Sequence, residues 1–506
     1  DNSKHNCQSS LAQQLFIVLF AVMSNKEGHG AFYAGSRLLN PLSDNTGLPI
    51  DQVNFLACQL FGIAISIPFR KLLDPRTTNP KVRHAVELVV GLAMAYFCFQ
   101  YHILHVIVQC GICYLILLFG PAKWMPTLVF IVAITYLSVC HIYRMIYDYG
   151  GYTLDITGPL MITTQKVTSL AFALYDGTSR DEKKLTADQK SQMIKKCPDS
   201  LTFWSYIFYY HGFMSGPLAF FSDYLDFIDG SNFLGKKSQD GAQTTSEARE
   251  PPNPMPTVAR KVGESAIFGI LMLCQPIFCP WDFLMTEEFH TNYNFFQRLT
   301  YTFITMSMCR PKYYLAWRLA DAVNNAAGLG YRKSNEMLNE DWDLLNNIDI
   351  KKLETCDSLK VNIDSWNKQT SLWLRRIVYD RAPESFRVPL VFMVSAFWHG
   401  FYPGYYLTFA TGTLFTFAAR QVRRNIRPLF IGEDQRTQKF LYDCVTFIFT
   451  RLANIYMVAP FVLLEMWAGL RLYMSLFWFL HIGSIAIIIF YTFIKPPKKD
   501  KGAKGQ

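Results

Sequence analysis

Apolar residues in this chain come in long continuous blocks. Each block runs for about 17–25 residues, the length of α-helix that crosses the roughly 30 Å hydrocarbon layer of a bilayer. The strands of a membrane β-barrel would instead alternate apolar and polar positions. The pattern therefore predicts an all-α polytopic membrane protein with roughly ten or eleven membrane-embedded helices. The blocks lie near 52–69, 85–100, 101–119, 126–147, 158–175, 201–221, 264–284, 296–317, 388–418, 440–464 and 471–494.

Glycine and proline interrupt several of these blocks. The pairs Gly158–Pro159 and Gly216–Pro217 lie inside predicted helices, and Gly400 lies inside the block at 388–418. A membrane helix tolerates such a break where neighbouring helices satisfy the freed backbone groups. We therefore predict broken or re-entrant helices beside a cavity, and a kink that only shapes packing is the alternative for either pair. Basic residues at both ends of the block at 388–418 fit a broken hairpin better than one long crossing.

The predicted membrane domain is a single unit over residues 36–495. Residues 1–35 are expected to be a poorly determined or truncated amino-terminal segment, because their short apolar stretch lacks the features of a cleavable signal peptide. Residues 322–387 are too polar to span a membrane, yet they carry aromatic and apolar residues at helical spacing. They are predicted to form interfacial helices at the membrane surface. Residues 496–506 are predicted to form a basic cytosolic tail.

Charged residues are scarce, and the basic ones lie at the ends of the apolar blocks. Of the 506 residues, 51% are hydrophobic and 17% charged, with a net charge of +10. The basic clusters at 420–427 and 495–501 flank two predicted crossings, so both can lie on the cytosolic face as the positive-inside rule requires. We therefore predict contact with membrane lipid and not with nucleic acid. Cys110 and Cys113 form a lone pair inside an apolar block, so no metal site is predicted.

His399 lies within the otherwise apolar block at 388–418. An ionisable side chain at membrane depth costs roughly 2–4 kcal/mol, which makes it a candidate for a functional site. Imidazole is also the side chain that exchanges a proton most readily near neutral pH. The alternative is a histidine that hydrogen-bonds to a neighbouring helix and has no other role.

A second candidate element lies just upstream. Its spacing of i, i+4, i+7 and i+8 predicts one shared helical face for Trp366, Thr370, Trp373 and Leu374. Asn367 follows Trp366 directly and could direct its amide at whatever that face packs against. By itself, an asparagine beside a tryptophan more often caps a helix or stabilises a loop.

Together, the two elements resemble the membrane-bound O-acyltransferase family. Its members carry a Trp-Asn-x-x-Thr-x-x-Trp-like element and, further along, a buried histidine in Trp-His-Gly. Trp366-Asn367, Thr370 and Trp373 match the first element, and Trp398-His399-Gly400 match the second. Three longer segments look like the lysophospholipid acyltransferase branch, and most like its phosphatidylethanolamine- and phosphatidylserine-forming members: 311–317, 320–330 and 398–409. The similarity extends over roughly residues 40–495.

The resemblance implies transfer of a fatty acyl group from acyl-CoA to the free hydroxyl of a lysophospholipid such as lysophosphatidylethanolamine, lysophosphatidylserine or lysophosphatidylcholine. A neutral His399 would act as the general base for that hydroxyl. Asn367 would position the hydroxyl or stabilise the charge that develops on the thioester oxygen. No covalent acyl-enzyme is required. No permanently bound cofactor is expected, since acyl-CoA is a co-substrate.

Further residues are predicted to contact substrate. Lys312, Arg375 and Arg376 are candidates for the phosphates of coenzyme A, although charges that set the topology are the alternative. For the aromatic residues near them, membership of an interfacial belt is the alternative. The remaining predicted contacts are Trp366, Thr370, Trp373, Trp398, Tyr313, Tyr314, Trp317, Tyr402 and Tyr405.

Two other functions stay open. A relative in the same family could acylate a protein or a neutral lipid. A transporter could also combine broken helices with a buried histidine, although it would more often show internal repeats. By similarity to the family, we expect a multi-pass protein of the endoplasmic reticulum with a cytosolic carboxyl terminus. No oligomeric state is predicted.

Overall fold

The computed structural model describes residues 33–151, 153–234, 253–332, 342–432 and 435–493, and all regular secondary structure in these ranges is helical. This confirms the all-α prediction. The main helices are α1 (Ile50–Leu72), α2 (Pro80–Phe99), α3 (Ile103–Phe119), α4 (Met125–Tyr147), α5 (Thr157–Thr178), α6 (Ser200–Phe208), α7 (Phe221–Asp229), α8 (Met255–Phe278), α9 (Phe295–Met308), α10 (Pro311–Ala327), α11 (Lys368–Leu374), α12 (Arg387–His399), α13 (Pro403–Asn425), α14 (Arg436–Leu463), α15 (Met466–Ser475) and α16 (Phe479–Phe493).

Shorter helical segments connect these helices. They lie at Asn40–Thr46, Gln100–His102, Glu182–Lys184, Ala187–Gln192, Ser231–Leu234, Trp281–Met285, Glu287–Asn292, Ile350–Thr355, Leu359–Ser365, Arg375–Tyr379, Glu384–Phe386 and Arg427–Phe430. The predicted basic tail at 496–506, and the predicted amino-terminal segment 1–35 except for its last three residues, lie outside the described residues.

Five helical segments among the described residues are long and apolar enough to cross a membrane. They are α1, α4, α8, α14 and the 40-residue run Pro80–Phe119, in which a short turn joins α2 to α3. α15 and α16 pass the same test together but meet at a bend of 80°, so the number rises to six if the bent pair is one span. The predicted ten or eleven membrane-embedded helices are therefore not confirmed, because several apolar blocks are divided into shorter helices.

The block at 201–221, predicted to be a membrane helix broken at Gly216–Pro217, leaves helical structure earlier than predicted. α6 ends at Phe208, and the next twelve residues are not helical. Lys166 of α5 donates hydrogen bonds from Nζ to the carbonyls of Tyr206 and Ile207, both at 3.0 Å. A buried side chain thus supplies the partners that these carbonyls would have had in a longer helix, which allows the chain to leave helical structure inside the protein.

α5 matches the predicted block at 158–175, but it lies in the interior of the protein. Its buried residues include a polar group in the middle of the helix: Thr163, Thr164, Gln165, Lys166 and Thr168. The pair Gly158–Pro159 occupies its first turn, so this pair begins a helix and does not break one. Neither this pair nor Gly216–Pro217 lines the large cavity described below, so the prediction of a cavity at these pairs is not confirmed.

The predicted broken hairpin at 388–418 is confirmed. α12 ends at His399, Gly400 adopts a φ of 120°, and α13 begins after a break of three residues. The rings of Phe392 and Phe409 lie 6.2 Å apart between centroids, so the two helices run back along each other. This turn places His399 at the closed end of the hairpin.

Two other predicted blocks are also divided. The block at 296–317 forms α9 and α10, and Pro311 is the first residue of α10. The last block bends between α15 and α16, where Phe477 and Trp478 have φ values of 54° and 51°. A proline lacks the backbone donor, and left-handed residues leave the helical path, so neither can continue an α-helix.

The segment predicted to lie at the membrane surface, 322–387, has two different parts. Residues 322–330 form the end of α10 and the turn after it and are buried inside the protein, so the surface prediction does not hold for them. The reason is a buried ion pair that holds α10 against α8, in which Lys261 Nζ donates to Asp321 Oδ2 at 2.6 Å. From Trp342 onward the chain forms short helices, and their surface location stays a prediction.

Candidate active site

A cavity of about 1590 Å³ lies between α12, α13, α14 and α16 and the segment that carries residues 349–375. His399 and Asn367 both line it. Along α13 its wall changes from aromatic to basic, since Phe409 and Arg420 both face it. The two positions are eleven residues apart, which at about 1.5 Å per residue corresponds to roughly 16 Å along the helix axis. The cavity therefore extends from an apolar interior to a charged end.

His399 is the last residue of α12, and its half-buried ring is surrounded by aromatic side chains. Phe409 stacks on it with ring centroids 5.5 Å apart, and the ring of Phe461 meets it edge-on at 5.1 Å. Neither ring nitrogen has a hydrogen-bond partner among the residues that the structure describes. An imidazole held by apolar contacts on a cavity wall can therefore bond to a molecule in the cavity.

The backbone around His399 is fixed by two close contacts. His141 of α4 donates a hydrogen bond from Nε2 to the carbonyl of Trp398 at 3.2 Å, and its ring lies 3.2 Å from the point where a β-carbon of Gly400 would be. The N–H of Gly404 donates to the carbonyl of Leu464 at 2.7 Å, which joins the start of α13 to the end of α14. Sequence reasoning missed His141, although an ionisable residue inside the predicted span at 126–147 was a signal for it.

Asn367 lies between two short helices and adopts a left-handed conformation with φ 45°. Its Oδ1 accepts a hydrogen bond from Asn347 Nδ2 at 3.1 Å, and Asn347 in turn accepts at its own Oδ1 from the N–H of Gln369 at 3.0 Å. Within the described residues Nδ2 of Asn367 has no partner. The free N–H groups of a fixed amide can donate to a molecule in the cavity. Asn347, which orients this amide, was also missed from the sequence.

One helix aligns the two motifs. Three residues of α5, spaced i, i+4 and i+7, form hydrogen bonds with side chains of the two motifs. They are Met161, Gln165 and Thr168. The carbonyl of Met161 accepts from Trp398 Nε1 at 2.9 Å. Thr168 Oγ1 accepts from Trp373 Nε1 at 3.0 Å, and Gln165 Nε2 donates to Thr370 Oγ1 at 2.8 Å. This face of α5 therefore sets the position of α11 relative to α12.

The prediction of one shared helical face for Trp366, Thr370, Trp373 and Leu374 is wrong for Trp366. The left-handed Asn367 interrupts the helix, and α11 begins only at Lys368. Trp366 instead packs against Tyr313 and Trp317 of α10, with ring centroids 5.4 and 5.0 Å apart. These three aromatic residues line the cavity.

A model of the membrane-bound O-acyltransferase family matches residues 142–459. The chain is also 41% identical over 475 residues to membrane-bound glycerophospholipid O-acyltransferase 2 of Homo sapiens, which covers 93% of this chain and 89% of the human protein. The chain belongs to the membrane-bound O-acyltransferase family. The family match contains both Asn367 and His399 and confirms that the protein is an acyltransferase.

More distant relatives agree with this assignment. The chain is 38% identical over 476 residues to lysophospholipid acyltransferase 6 of Drosophila melanogaster, with 94% of this chain and 66% of that protein covered. It is 32% identical over 404 residues to the lysophospholipid acyltransferase of Saccharomyces cerevisiae, with 76% of this chain and 65% of the yeast protein covered.

The cavity of this acyltransferase contains only part of the predicted set of substrate contacts. The predicted residues that line it are His399, Asn367, Trp366, Thr370, Tyr313, Trp317 and Arg375. Their roles toward substrate stay predictions. Trp373 and Trp398 lie behind the wall, where they bond to α5 as described above.

Three other residues predicted to contact substrate do not line the cavity. Arg376 donates two hydrogen bonds to Asp188 at 2.8 and 2.7 Å, so its guanidinium is already paired. Tyr314 donates from its hydroxyl to Glu354. The ammonium of Lys312 lies over the ring of Tyr313 and does not line the cavity.

Two predicted tyrosines lie beside the turn after His399. Tyr402 accepts at its hydroxyl from the N–H of Gly150 at 3.0 Å, and Tyr405 stacks on Phe461 with ring centroids 4.2 Å apart. Neither lines the cavity. Both therefore support the turn that holds His399.

The charged end of the cavity contains basic residues that the sequence reasoning had used only to assign topology. Arg420, Arg423 and Arg427 line it, and none of them has an ion-pair partner in the part of the chain that the structure describes. Lys352 lies at the same cavity, and its hydrogen bond to Asp349, at 3.0 Å, raises the pKa of the lysine. Its ammonium stays charged at neutral pH.

Proposed function

We propose that this membrane-bound O-acyltransferase transfers a fatty acyl group from acyl-CoA to the free hydroxyl of a lysophospholipid. Its human, fly and yeast relatives are named as glycerophospholipid or lysophospholipid acyltransferases. The observation that carries the proposal is His399, an imidazole on a cavity wall without a hydrogen-bond partner among the described residues. Such a group can bind a substrate hydroxyl.

In this mechanism His399 takes the proton of the lysophospholipid hydroxyl as its oxygen forms a bond to the thioester carbon. The thioester oxygen gains negative charge in the tetrahedral intermediate, and the free N–H of Asn367 donates to it. The carbon–sulfur bond of the intermediate then breaks. The departing thiolate takes the proton back from His399, which returns the imidazole to its neutral form and releases the acylated phospholipid and coenzyme A.

The basic end of the cavity suits the phosphates of coenzyme A. Arginine forms paired hydrogen bonds with phosphate oxygens, and Arg420, Arg423 and Arg427 offer three guanidinium groups there. The roughly 16 Å along α13 between Arg420 and Phe409 leaves space for the pantetheine arm to reach toward His399. We therefore assign the phosphates to these three arginines in preference to Lys312 and Arg376.

The similarity to the ethanolamine- and serine-lipid branch favours lysophosphatidylethanolamine and lysophosphatidylserine as acceptors, followed by lysophosphatidylcholine. A direct assay tests both the reaction and the class of acceptor. The purified protein is given radiolabelled acyl-CoA together with each lysophospholipid, with diacylglycerol or with a sterol. We expect label in the phospholipid. Label only in diacylglycerol or sterol would replace this proposal with the neutral-lipid alternative, and no transfer to any acceptor would favour protein acylation or transport.

We also propose that the basic end of the cavity faces the cytosol in the endoplasmic reticulum, where acyl-CoA is supplied. Basic residues at 420–427 and 495–501 agree with this orientation. A tag near Gly432 and another after Gln506 should both be cleaved by protease in cells whose plasma membrane alone is permeabilised. Protection of both tags would place the arginines in the lumen and exclude this route for coenzyme A.

A further inference from the structure

α16 forms one wall of the cavity and exposes its opposite face. The residues that line the cavity recur at helical spacing: Phe479, Leu480, Gly483, Ser484 and Ile487. The outward residues Ile482 and Ile485 are 61% and 46% exposed. α16 therefore separates the cavity from the surface of the protein.

Gly483 leaves a gap in this wall. Apart from its chain neighbours and the backbone of its own helix, no heavy atom of the described residues lies within 4 Å of the place where its β-carbon would be. Ala419 of α13 and Ala453 of α14 line the cavity with one methyl group each. Small residues thus occur on three of the helices that line the cavity, and beside Gly483 the space is open.

Hydrogen bonds hold this wall in place. One ring nitrogen of His481 is hydrogen-bonded to Thr411 of α13 at 3.1 Å, and the other to the hydroxyl of Tyr456 of α14, also at 3.1 Å. The first turn of α16 is therefore tied to both neighbouring helices. The 80° bend between α15 and α16 directs the rest of the helix along the cavity.

The chemistry of this face suits a hydrocarbon chain. Its side chains are apolar except for the hydroxyl of Ser484. The pantetheine arm carries two amides, which would lose their hydrogen bonds to water here and find few replacements. A chain of methylene groups has no such requirement and gains from leaving water.

We propose that the gap at Gly483 holds the distal part of a fatty acyl chain and that the side chain at position 483 limits the length of chain the enzyme accepts. This inference rests on the proposed function, because it assumes that the cavity binds acyl substrates. The chain is either that of acyl-CoA or that of the lysophospholipid, since both contain the same methylene groups. The two sources are distinguished by the experiment.

The test compares chain-length profiles of Gly483→Leu and the unaltered protein. In one arm the donor varies from octanoyl-CoA to arachidonoyl-CoA with one lysophospholipid; in the other the lysophospholipid chain varies with one donor. The leucine side chain fills space for about four methylene groups, so kcat/KM for long chains should fall about tenfold or more relative to short ones. A shift in only one arm identifies the chain that binds at Gly483. Unchanged profiles in both arms would overturn the inference.

Two further variants keep the test decisive. Ile485→Phe enlarges an exposed side chain on the outward face of the same helix, away from the cavity, and should leave both profiles unchanged. Ile487→Ala enlarges the cavity and should shift the preference toward longer chains, which tests the same wall if Gly483→Leu does not fold. Absence of any acyl transfer by the unaltered protein would contradict the proposed function itself, whereas normal transfer with unshifted profiles in these variants would contradict only the chain-length inference.

Discussion

Residues 209–213 and 397–401 share one local pattern, two aromatic residues followed by histidine, glycine and phenylalanine. The structure gives the two histidines opposite surroundings. His211 Nδ1 is hydrogen-bonded to Asn324 Oδ1 at 2.8 Å and its Nε2 to Glu87 Oε1 at 3.2 Å, all of them buried. His399 lines the cavity, and its nitrogens are unbonded among the described residues.

This difference separates a structural histidine from a candidate base. A histidine whose two nitrogens are already bonded inside the protein can take a substrate proton only after those bonds break. His399 has no such bonds to lose, and the cavity gives a substrate access to it. The same five-residue pattern therefore supports the polar interior in one region and presents a candidate base to the cavity in the other.

The strongest test of the comparison is His399→Ala. Loss of a general base should lower turnover by roughly 10²–10⁴-fold, with a smaller loss of thermal stability than in His211→Ala, because the ring makes aromatic contacts but no hydrogen bond within the described protein. Acyl transfer and thermal unfolding of the purified variant measure the two effects. Turnover above about a tenth of the unaltered protein's would show that His399 is not the base.

Asn367→Gly tests the amide without disturbing the backbone, because glycine adopts the φ of 45° at this position without strain. Loss of the donated hydrogen bond should reduce kcat by roughly 10²–10³-fold and leave KM nearly unchanged. Asn367→Asp, which removes the N–H donor, should lose at least as much activity. Full turnover in both variants would assign Asn367 to a structural cap.

His211→Ala should lower thermal stability and leave turnover nearly unchanged, the opposite of what we expect for His399→Ala. Glu87 and Asn324 would be left buried without this partner, at a cost of about 1–3 kcal/mol for each unsatisfied group. We expect a lower midpoint of thermal unfolding, but turnover per folded molecule within about twofold of the unaltered protein. A loss of turnover as large as that of His399→Ala, with the midpoint unchanged, would remove the distinction between the two histidines.

The smallest expected effect is that of Arg423→Ala at the charged end. Loss of one exposed phosphate contact should raise the KM for acyl-CoA about two- to fivefold and leave the KM for the lysophospholipid unchanged. Raising the salt concentration should narrow the difference, because salt screens exposed charges. Lys439→Ala is the matched control, since Lys439 pairs with Asp443 and does not line the cavity. Equal changes in both variants would argue against a phosphate site at Arg423.

The sequence was sufficient for the features that depend on local pattern. Long apolar blocks predicted the helical membrane class, and the basic ends of the block at 388–418 predicted its hairpin. The number of spans could not be read in this way, because whether an apolar block stays one helix depends on distant groups. Lys166 illustrates this, since it bonds to carbonyls about 40 residues away and supports the end of α6.

Long-range partners also explain why only part of the candidate site could be predicted. Trp373 and Arg376 looked equally suited to substrate contact from sequence. Their partners Thr168 and Asp188 lie 205 and 188 residues away along the chain, and no local pattern indicates either pairing. The resemblance to the family identified the motif residues, whereas only the fold distinguishes those that line the cavity from those that support it.

The contact between Gly404 and Leu464 has a mechanical consequence. A β-carbon at Gly404 would overlap the carbonyl oxygen of Pro460, so the turns of two helical hairpins meet backbone to backbone beside His399. Backbone atoms have no side-chain rotamers to change, so we expect this end of the cavity to deform less than its side-chain walls. Under the proposed function, we expect lipids of different size to be accommodated by the side-chain walls of α13, α14 and α16, while the imidazole of His399 keeps its position.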